Sequence, residues 1–196
     1  MPSQLSLPGI AAPAPATDRL FFALLPDPTA AQEIQLRARE VRRAHGLQSR
    51  LIETHRLHLS LQHLGNHTGF PAPCAKAARA VAASIDFPAF DLCLDRVLTF
   101  NGRAREPRPL PCVMTAASDV SLHRLHRVLW LAMRERGLVV QSWTLTPHVT
   151  MFYDPVVIEE RAVEPIYCRI SEFVIVHSRI GTGLRYELSG RWPLRS

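Results

Sequence analysis

A histidine and a hydroxyl residue lie two positions apart in two short segments, His58-Leu59-Ser60-Leu61 and His148-Val149-Thr150-Met151. Each segment reads as a β-strand, in which successive side chains point to opposite faces, so His58 shares a face with Ser60 and His148 with Thr150. Two imidazoles and two hydroxyls gathered in one cleft would open a phosphodiester without a metal, one histidine taking a proton and the other giving one. The pattern is common on its own. With 9 histidines in 196 residues, and Ser and Thr together a little over a tenth of the chain, chance supplies about one such spacing. A lone histidine is also more often a satisfied surface or core imidazole than a catalyst. Context carries the rest: both segments have apolar residues at the intervening and following positions, both sit where strands are expected (57–64 and 148–153), and they fall in opposite halves of the chain.

The elements that must position them follow from pattern and punctuation. Residues 19–25 (RLFFALL) form an apolar strand stopped by Pro26. Asp27 is the N-cap and Pro28 the first helical residue of a helix over 29–44, which His45-Gly46 ends. Leu51-Ile52 reads as the start of an extended run, and Gly65-Asn66 is expected to turn the chain after the first motif. An Ala-rich helix is expected over 72–85, between Pro73 and Pro88. Residues 90–100 alternate as a strand, 101–109 form an Arg- and Pro-containing loop, and 112–115 a short apolar strand. Ser118 or Asp119 caps a helix to Arg136 whose stripe is Val120, Leu125, Val128, Leu129 and Met133, with Gly137 at its end. A short stretch, 139–145, leads into the second motif, and Pro155 breaks its strand. Strands over 166–170, 173–179 and 185–192 close the chain, the last two joined by Gly181-Thr182-Gly183. No period of 20 to 50 residues appears.

Bulk properties set limits. At 196 residues and 47% hydrophobic content the chain can bury one sizeable core, so one domain or two closely packed lobes is expected. The formal charge is +6 and Lys76 is the single lysine, so the basic residues are arginines. Arginine binds phosphate bidentately and stacks on bases, which suits RNA or a nucleotide, although a GC-rich genome gives the same bias. Cys74, Cys93, Cys112 and Cys168 are widely spaced without a C-x-x-C pair, which argues for free thiols rather than a zinc cluster or an exported disulfide scaffold. Residues 1–18 are rich in Pro, Ala and Ser but lack the basic start and apolar core of a signal peptide, and no run is long enough to span a bilayer. The expectation is a soluble cytoplasmic protein with a disordered tail over 1–18.

Four segments in order, RLFFALLPD at 19–27, LHLSLQHLG at 57–65, TPHVTMFYD at 146–154 and SRIGTGLRYELSGRWPL at 178–194, resemble the two-histidine phosphoesterase superfamily. The resemblance covers nearly all of the chain from residue 19 and is strongest to the LigT-like group of RNA 2',3'-cyclic phosphodiesterases, also described as 2'-5' RNA ligases. It implies an α+β, bilobal fold over 19–196, in which two antiparallel sheets related by a pseudo-twofold face a central cleft and helices lie on the outer faces. It implies hydrolysis of a 2',3'-cyclic phosphate at an RNA end to a 2'-phosphate, with no cofactor. By this analogy His148 is the general base that activates water and His58 the proton donor to the leaving 3' oxygen, an assignment the pseudo-symmetry makes easy to invert. Ser60 and Thr150 would donate to the non-bridging phosphoryl oxygens. The partners implied are RNA ends or nucleoside 2',3'-cyclic phosphates, with no membrane, and the chain is expected to be a monomer.

Two departures stand out. Ser60 replaces the commoner threonine and keeps the hydroxyl. Tyr153 stands five residues after the second histidine, where some bacterial members carry an arginine; Arg56 or an arginine of the 103–108 loop would then have to supply the charge. Among other candidates, either Phe21 or Phe22 could face the cleft and stack on a base, whereas Trp130, Trp143 and Trp192 read as core. His55 and His63 stand at odd offsets from His58 and so are expected on the opposite face of the strand, and with His67 they lack the carboxylates of a metal site; no metal is expected. His123 and His126 are expected to be solvated on a helix. Two other functions remain open: ligation of RNA halves through a 2'-5' bond, or RNA binding without turnover.

Overall fold

Residues 14–100, 109–116, 119–138, 144–182 and 186–195 are described by the computed structural model. The chain runs β1 (Asp18–Leu24), α1 (Pro28–Ala44), a 3-10 turn (Thr54–Arg56), β2 (Leu59–His67), α2 (Ala72–Ala82), β3 (Phe90–Thr99) and β4 (Leu110–Thr115). It continues through α3 (Val120–Glu135), β5 (His148–Asp154), β6 (Arg161–Ile170), β7 (Glu172–Arg179) and β8 (Glu187–Pro193). Among the described residues the strands form one sheet in the order β6-β3-β4-β5-β2-β1-β7-β8, every pair antiparallel. The fold is α+β. The two four-stranded halves are joined at β2–β5, where the register pairs Leu59 with Val149.

The halves of the sheet are not the halves of the chain. β7 and β8 lie in the second half of the sequence yet pair onto β1 and build the first lobe. The reason is visible in β7: Phe173, Val174, Ile175 and Val176 are all fully buried, a run apolar on both faces that belongs inside a sheet rather than at its rim. The helices interlock the lobes further. α1 follows β1 but packs on β5 and β6, and α3 follows β4 but packs on β2 and α2.

The helices cover one face with a single core that includes Leu20, Phe22, Leu24, Ile34, Leu59, Leu125, Phe152 and Phe173. The other face carries a small separate cluster of Phe21, Ala23, Val174 and Val176, the floor of the first lobe. Cap chemistry behaves as expected: Asp27 Oδ1 accepts from the N–H groups of Thr29 (2.9 Å) and Ala30 (3.0 Å), with Pro28 opening the helix. Asp119 accepts from Leu122 N–H at 2.7 Å.

Several local expectations change. β2 does not turn at Gly65-Asn66 but continues to His67, still paired with β1; Gly65 takes φ +116, and a Cβ there would lie 2.8 Å from the His67 ring, so the glycine accommodates an irregularity inside the strand. α2 ends at Ala82 and β6 begins at Arg161, five residues earlier than the pattern suggests. On α3, Val120 (73%) and Val128 are exposed, while the buried stripe is Leu122, Leu125, His126, Leu129, Ala132 and Met133. The expected tail lies outside the described residues through residue 13, and the sheet takes hold by Thr17, whose N–H donates to His67 and whose carbonyl accepts from Ile180. The 101–108 loop, most of the 139–145 stretch and Gly183 also fall outside the described residues. No helix among the described residues is long and apolar enough to cross a membrane.

Candidate active site

The seam between the lobes assembles the site. Leu59 and Val149 pair across it and turn their side chains into the helix-covered core. Carrying the antiparallel register one residue each way sets His58 across from Thr150 and Ser60 across from His148, all on the opposite face, where directly facing Cβ atoms lie ~4.5–5.5 Å apart. His58, Ser60, His148 and Thr150 line one cavity of about 550 Å³ together with Arg19, Phe21, Arg56, His63, Tyr153 and Tyr186. None of the described lining residues is a carboxylate.

Both imidazoles are held in the same way. His58 Nδ1 lies 2.9 Å from the Arg56 carbonyl and His148 Nδ1 2.7 Å from the Thr146 carbonyl, in each case the residue two positions back. A carbonyl only accepts, so Nδ1 carries the proton and Nε2 is left as the nitrogen for proton transfer. Aromatic rings seat the imidazoles: Phe21 (5.1 Å) and Tyr186 (5.3 Å) against His58, and Phe100 (4.8 Å) against His148. Burial holds His58 below the ordinary histidine range, partly offset by the bond to the Arg56 carbonyl, and the charges of His148, Arg56 and Arg19 act in the same direction as burial. The Arg56 guanidinium stacks over the Tyr186 ring at 5.1 Å, and its buried Nε has no hydrogen-bond partner among the described residues.

β-bulges complete the lining in a way that simple alternation misses. In β2 the register passes from Ala23–Ser60 to Phe22–Gln62, leaving Leu61 as an extra residue; in β5 it passes from Val113–Thr150 to Cys112–Phe152, leaving Met151 extra. Each insertion flips the parity of the residues after it. His63 and Tyr153, each five residues beyond its histidine, therefore return to the cleft, correcting the expectation that His63 faces away. Gln62 turns instead to the core, where its Nε2 lies 2.6 Å from Nε2 of His126. His126 is 4% exposed rather than solvated. The helical spacing 122, 125, 126, 129 was the signal for it.

Of the residues expected to stack on a base, Phe22 is fully buried against Phe173 on the helix-covered side and offers no face to a ligand, because adjacent strand residues point oppositely. Phe21 does line the cavity, but at 4% exposure its ring is occupied by His58 and Tyr186. Sequence reasoning missed Tyr186 as a site residue, although it lies within the SRIGTGLRYELSGRWPL segment. Of the remaining histidines, His55 faces Glu53 in the 3-10 turn (3.4 Å) and His67 Nε2 approaches the Leu64 carbonyl (3.1 Å). No group of three or more His, Cys, Asp or Glu among the described residues could hold a metal ion.

A cleft of paired, identically held imidazoles with flanking hydroxyls at the centre of a pseudo-twofold sheet is the arrangement of a two-histidine phosphoesterase. Residues 26–179 match the family model of the 2'-5' RNA ligase superfamily, and the chain belongs to that family. Among solved structures it is similar to Escherichia coli LigT in apo form (25% identity, 93% of this chain and 100% of that chain covered, TM-score 0.65). It is similar also to a protein described as a phosphoesterase (26%, 92% and 99%, TM-score 0.69). TT0787 of Thermus thermophilus shares the fold at 19% identity (91% and 98%, TM-score 0.72). LigT has also been solved in complex with 3'-AMP. A comparison with curated protein sequences gave no match.

Proposed function

We propose that the chain hydrolyses 2',3'-cyclic phosphates at RNA ends, or on nucleosides, to 2'-phosphates by histidine acid–base catalysis without a metal. The observation that carries this reading is the pair of imidazoles fixed as Nδ1–H tautomers on one cleft, whose described lining residues include no carboxylate, with Ser60 and Thr150 between them. His148 Nε2 takes a proton from water as its oxygen attacks phosphorus in line. The bond from phosphorus to the 3' oxygen breaks, and His58 Nε2–H gives that oxygen its proton. The products are a 2'-phosphomonoester and a free 3'-hydroxyl, and proton exchange with solvent resets the pair. Ser60, Thr150 and the Arg56 guanidinium hold the non-bridging oxygens, with Arg56 supplying charge where Tyr153 has none. Substrate also arms the acid. An incoming anion favours the charged imidazolium against the burial, and the lesser nearby charges, that hold His58 low in the free protein, so His58 takes up a proton on binding and donates it to the leaving oxygen.

The reverse assignment, His58 as base, has one observation in its favour: burial keeps His58 unprotonated in the free protein. A phosphodiester with a nitrophenolate leaving group, which needs no proton, separates the two. Under the first assignment His58→Ala loses much less activity on that substrate than on a cyclic phosphate, and His148→Ala loses equally on both. The cellular setting that fits this substrate is the cytoplasm. The experiment that tests the function is incubation with nucleoside 2',3'-cyclic phosphates and with RNA ending in one, with the product isomer identified in the presence and absence of a 5'-hydroxyl RNA acceptor. The 2'-phosphate in both conditions is expected. A 2'-5' linkage formed with the acceptor would favour ligation, and salt-sensitive binding without turnover would leave an RNA-binding module.

A further inference from the structure

The floor of the first lobe continues past the catalytic seam and stays cationic. Three cleft-facing rows cross β2, β1 and β7: Ser60–Ala23–Val174, then His63–Phe21–Val176, then Asn66–Arg19–Ser178. Cleft-facing residues two apart on a strand are about 7 Å apart, since each residue rises ~3.3 Å. The bulges in β2 keep His63 and Asn66 on this face, in line with Phe21 and Arg19. Asn66 Oδ1 accepts from Arg19 Nε at 3.0 Å, which fixes the plane of the guanidinium and turns its two terminal nitrogens elsewhere. Arg19, His63 and Ser178 line the same cavity as the catalytic pair, and the Arg19 charge is felt at His58.

The cavity is larger than one phosphoryl group requires and lies in the ~300–1,000 Å³ range of sites that enclose a whole small ligand. Its arginines are not all at the seam. Arg56 sits beside His58, whereas His63 and Arg19 lie one and two rows beyond Ser60, toward the open end of β1. Two rows are about 14 Å along the strand, roughly twice the path between consecutive phosphates of an extended strand, and the long Arg19 side chain, which lines the cavity, makes up the difference. An oriented guanidinium edge next to a hydroxyl and an imidazole is a fork suited to a phosphodiester anion.

We propose that Arg19, oriented by Asn66 and assisted by His63 and Ser178, forms a second anion subsite that receives the phosphodiester of the preceding nucleotide. This rests on the cyclic-phosphate reading of the seam and extends it: the preferred substrate is an oligonucleotide end rather than a mononucleotide. The scissile phosphate sits at Ser60, Thr150 and Arg56, and the chain leaves across the floor of β1.

The test is calorimetric titration of the intact protein with a diadenosine monophosphate carrying a terminal 2'-phosphate, against the same compound with its internal phosphate replaced by an uncharged methylphosphonate. The charged dinucleotide is expected to bind about tenfold tighter or more, as befits a hydrogen bond to a charged group. Arg19→Gln is expected to bring that ratio close to one, and Asn66→Ala, which releases the guanidinium without removing it, to reduce it partway. Arg19 is exposed, so its replacement leaves the fold intact. Equal affinities of the two compounds for the wild-type protein, or a ratio unmoved in Arg19→Gln, overturn the subsite. Rates on the cyclic forms are read in parallel: binding preference without hydrolysis of any cyclic phosphate would overturn the seam chemistry while leaving the subsite standing.

Discussion

Replacing Phe21 by leucine separates a seat for the catalytic imidazole from ordinary core packing. The Phe21 ring lies 5.1 Å from His58 and edge-on to Tyr186 at 5.9 Å, so three rings brace one another on the cleft side of β1. Leucine keeps an apolar floor but removes the ring contact, worth ~0.5–1.5 kcal/mol for an aromatic pair beyond its area. If that energy holds the His58 ring in its working orientation, its loss lowers kcat/KM by about 2- to 13-fold at ~1.36 kcal/mol per factor of ten. Phe22→Leu is the matched control one residue away. Phe22 is buried on the opposite face with Phe173 at 6.1 Å, so its replacement costs about 1 kcal/mol of stability. Activity per folded molecule is unaffected there. The assay is the initial rate on a nucleoside 2',3'-cyclic phosphate, with the folded fraction fixed by thermal melts. Wild-type kcat/KM in Phe21→Leu, or equal losses in both variants at matched folded fraction, would refute the seating argument.

Other outcomes rest on the same geometry. Burial holds His126 and His58 below the ordinary histidine value of 6.5, so the unfolded chain binds protons that the folded chain refuses. Stability is therefore full above about pH 6.5 and falls as pH drops through the folded values; melts should show a falling Tm toward pH 5, shallower in His126→Gln, and a Tm that rises on acidification would contradict this. Burial pushes the thiols of Cys112 and Cys168 up to about 12, whereas Cys74 and Cys93 are only partly buried, so a maleimide at neutral pH should label the latter two first. Mass mapping of the adducts decides it. Arg56→Gln removes a charged donor from the phosphate and is expected to lower kcat/KM by about 13- to 160-fold, at ~1.5–3 kcal/mol for such a bond; an unchanged value would free Arg56 from that role.

Period and punctuation are what a sequence makes legible. The apolar run over 19–25, the pattern of 148–153 and the Asp27-Pro28 cap mark the strands and α1, and the placement of Ser60 beside His58 needs only the parity of an unbroken strand. Parity also explains the failures. Leu61 and Met151 look like ordinary strand residues, and nothing in their types announces a bulge, so alternation alone sends His63 to the wrong face. Gly65 reads as a turn because a glycine–asparagine step usually makes one, yet here positive φ is absorbed within a paired strand. The return of β7 to β1 is a long-range pairing that no local pattern encodes. His126 escapes notice for a different reason: its polarity outweighs its position on the apolar stripe, and the partner that makes burial tolerable, Gln62, reaches that face through the bulge.

The convergence of His58 and His148 on one phosphoryl group is tested most directly by the rates of His58→Ala, His148→Ala and the double variant on an RNA ending in a 2',3'-cyclic phosphate. Each single change is expected to cost about 10²- to 10⁴-fold, as loss of a general acid or base does, and the double change little more than the worse single one, because the two act as a unit. Wild-type turnover in either single variant, with the fold intact by thermal melting, would contradict the account.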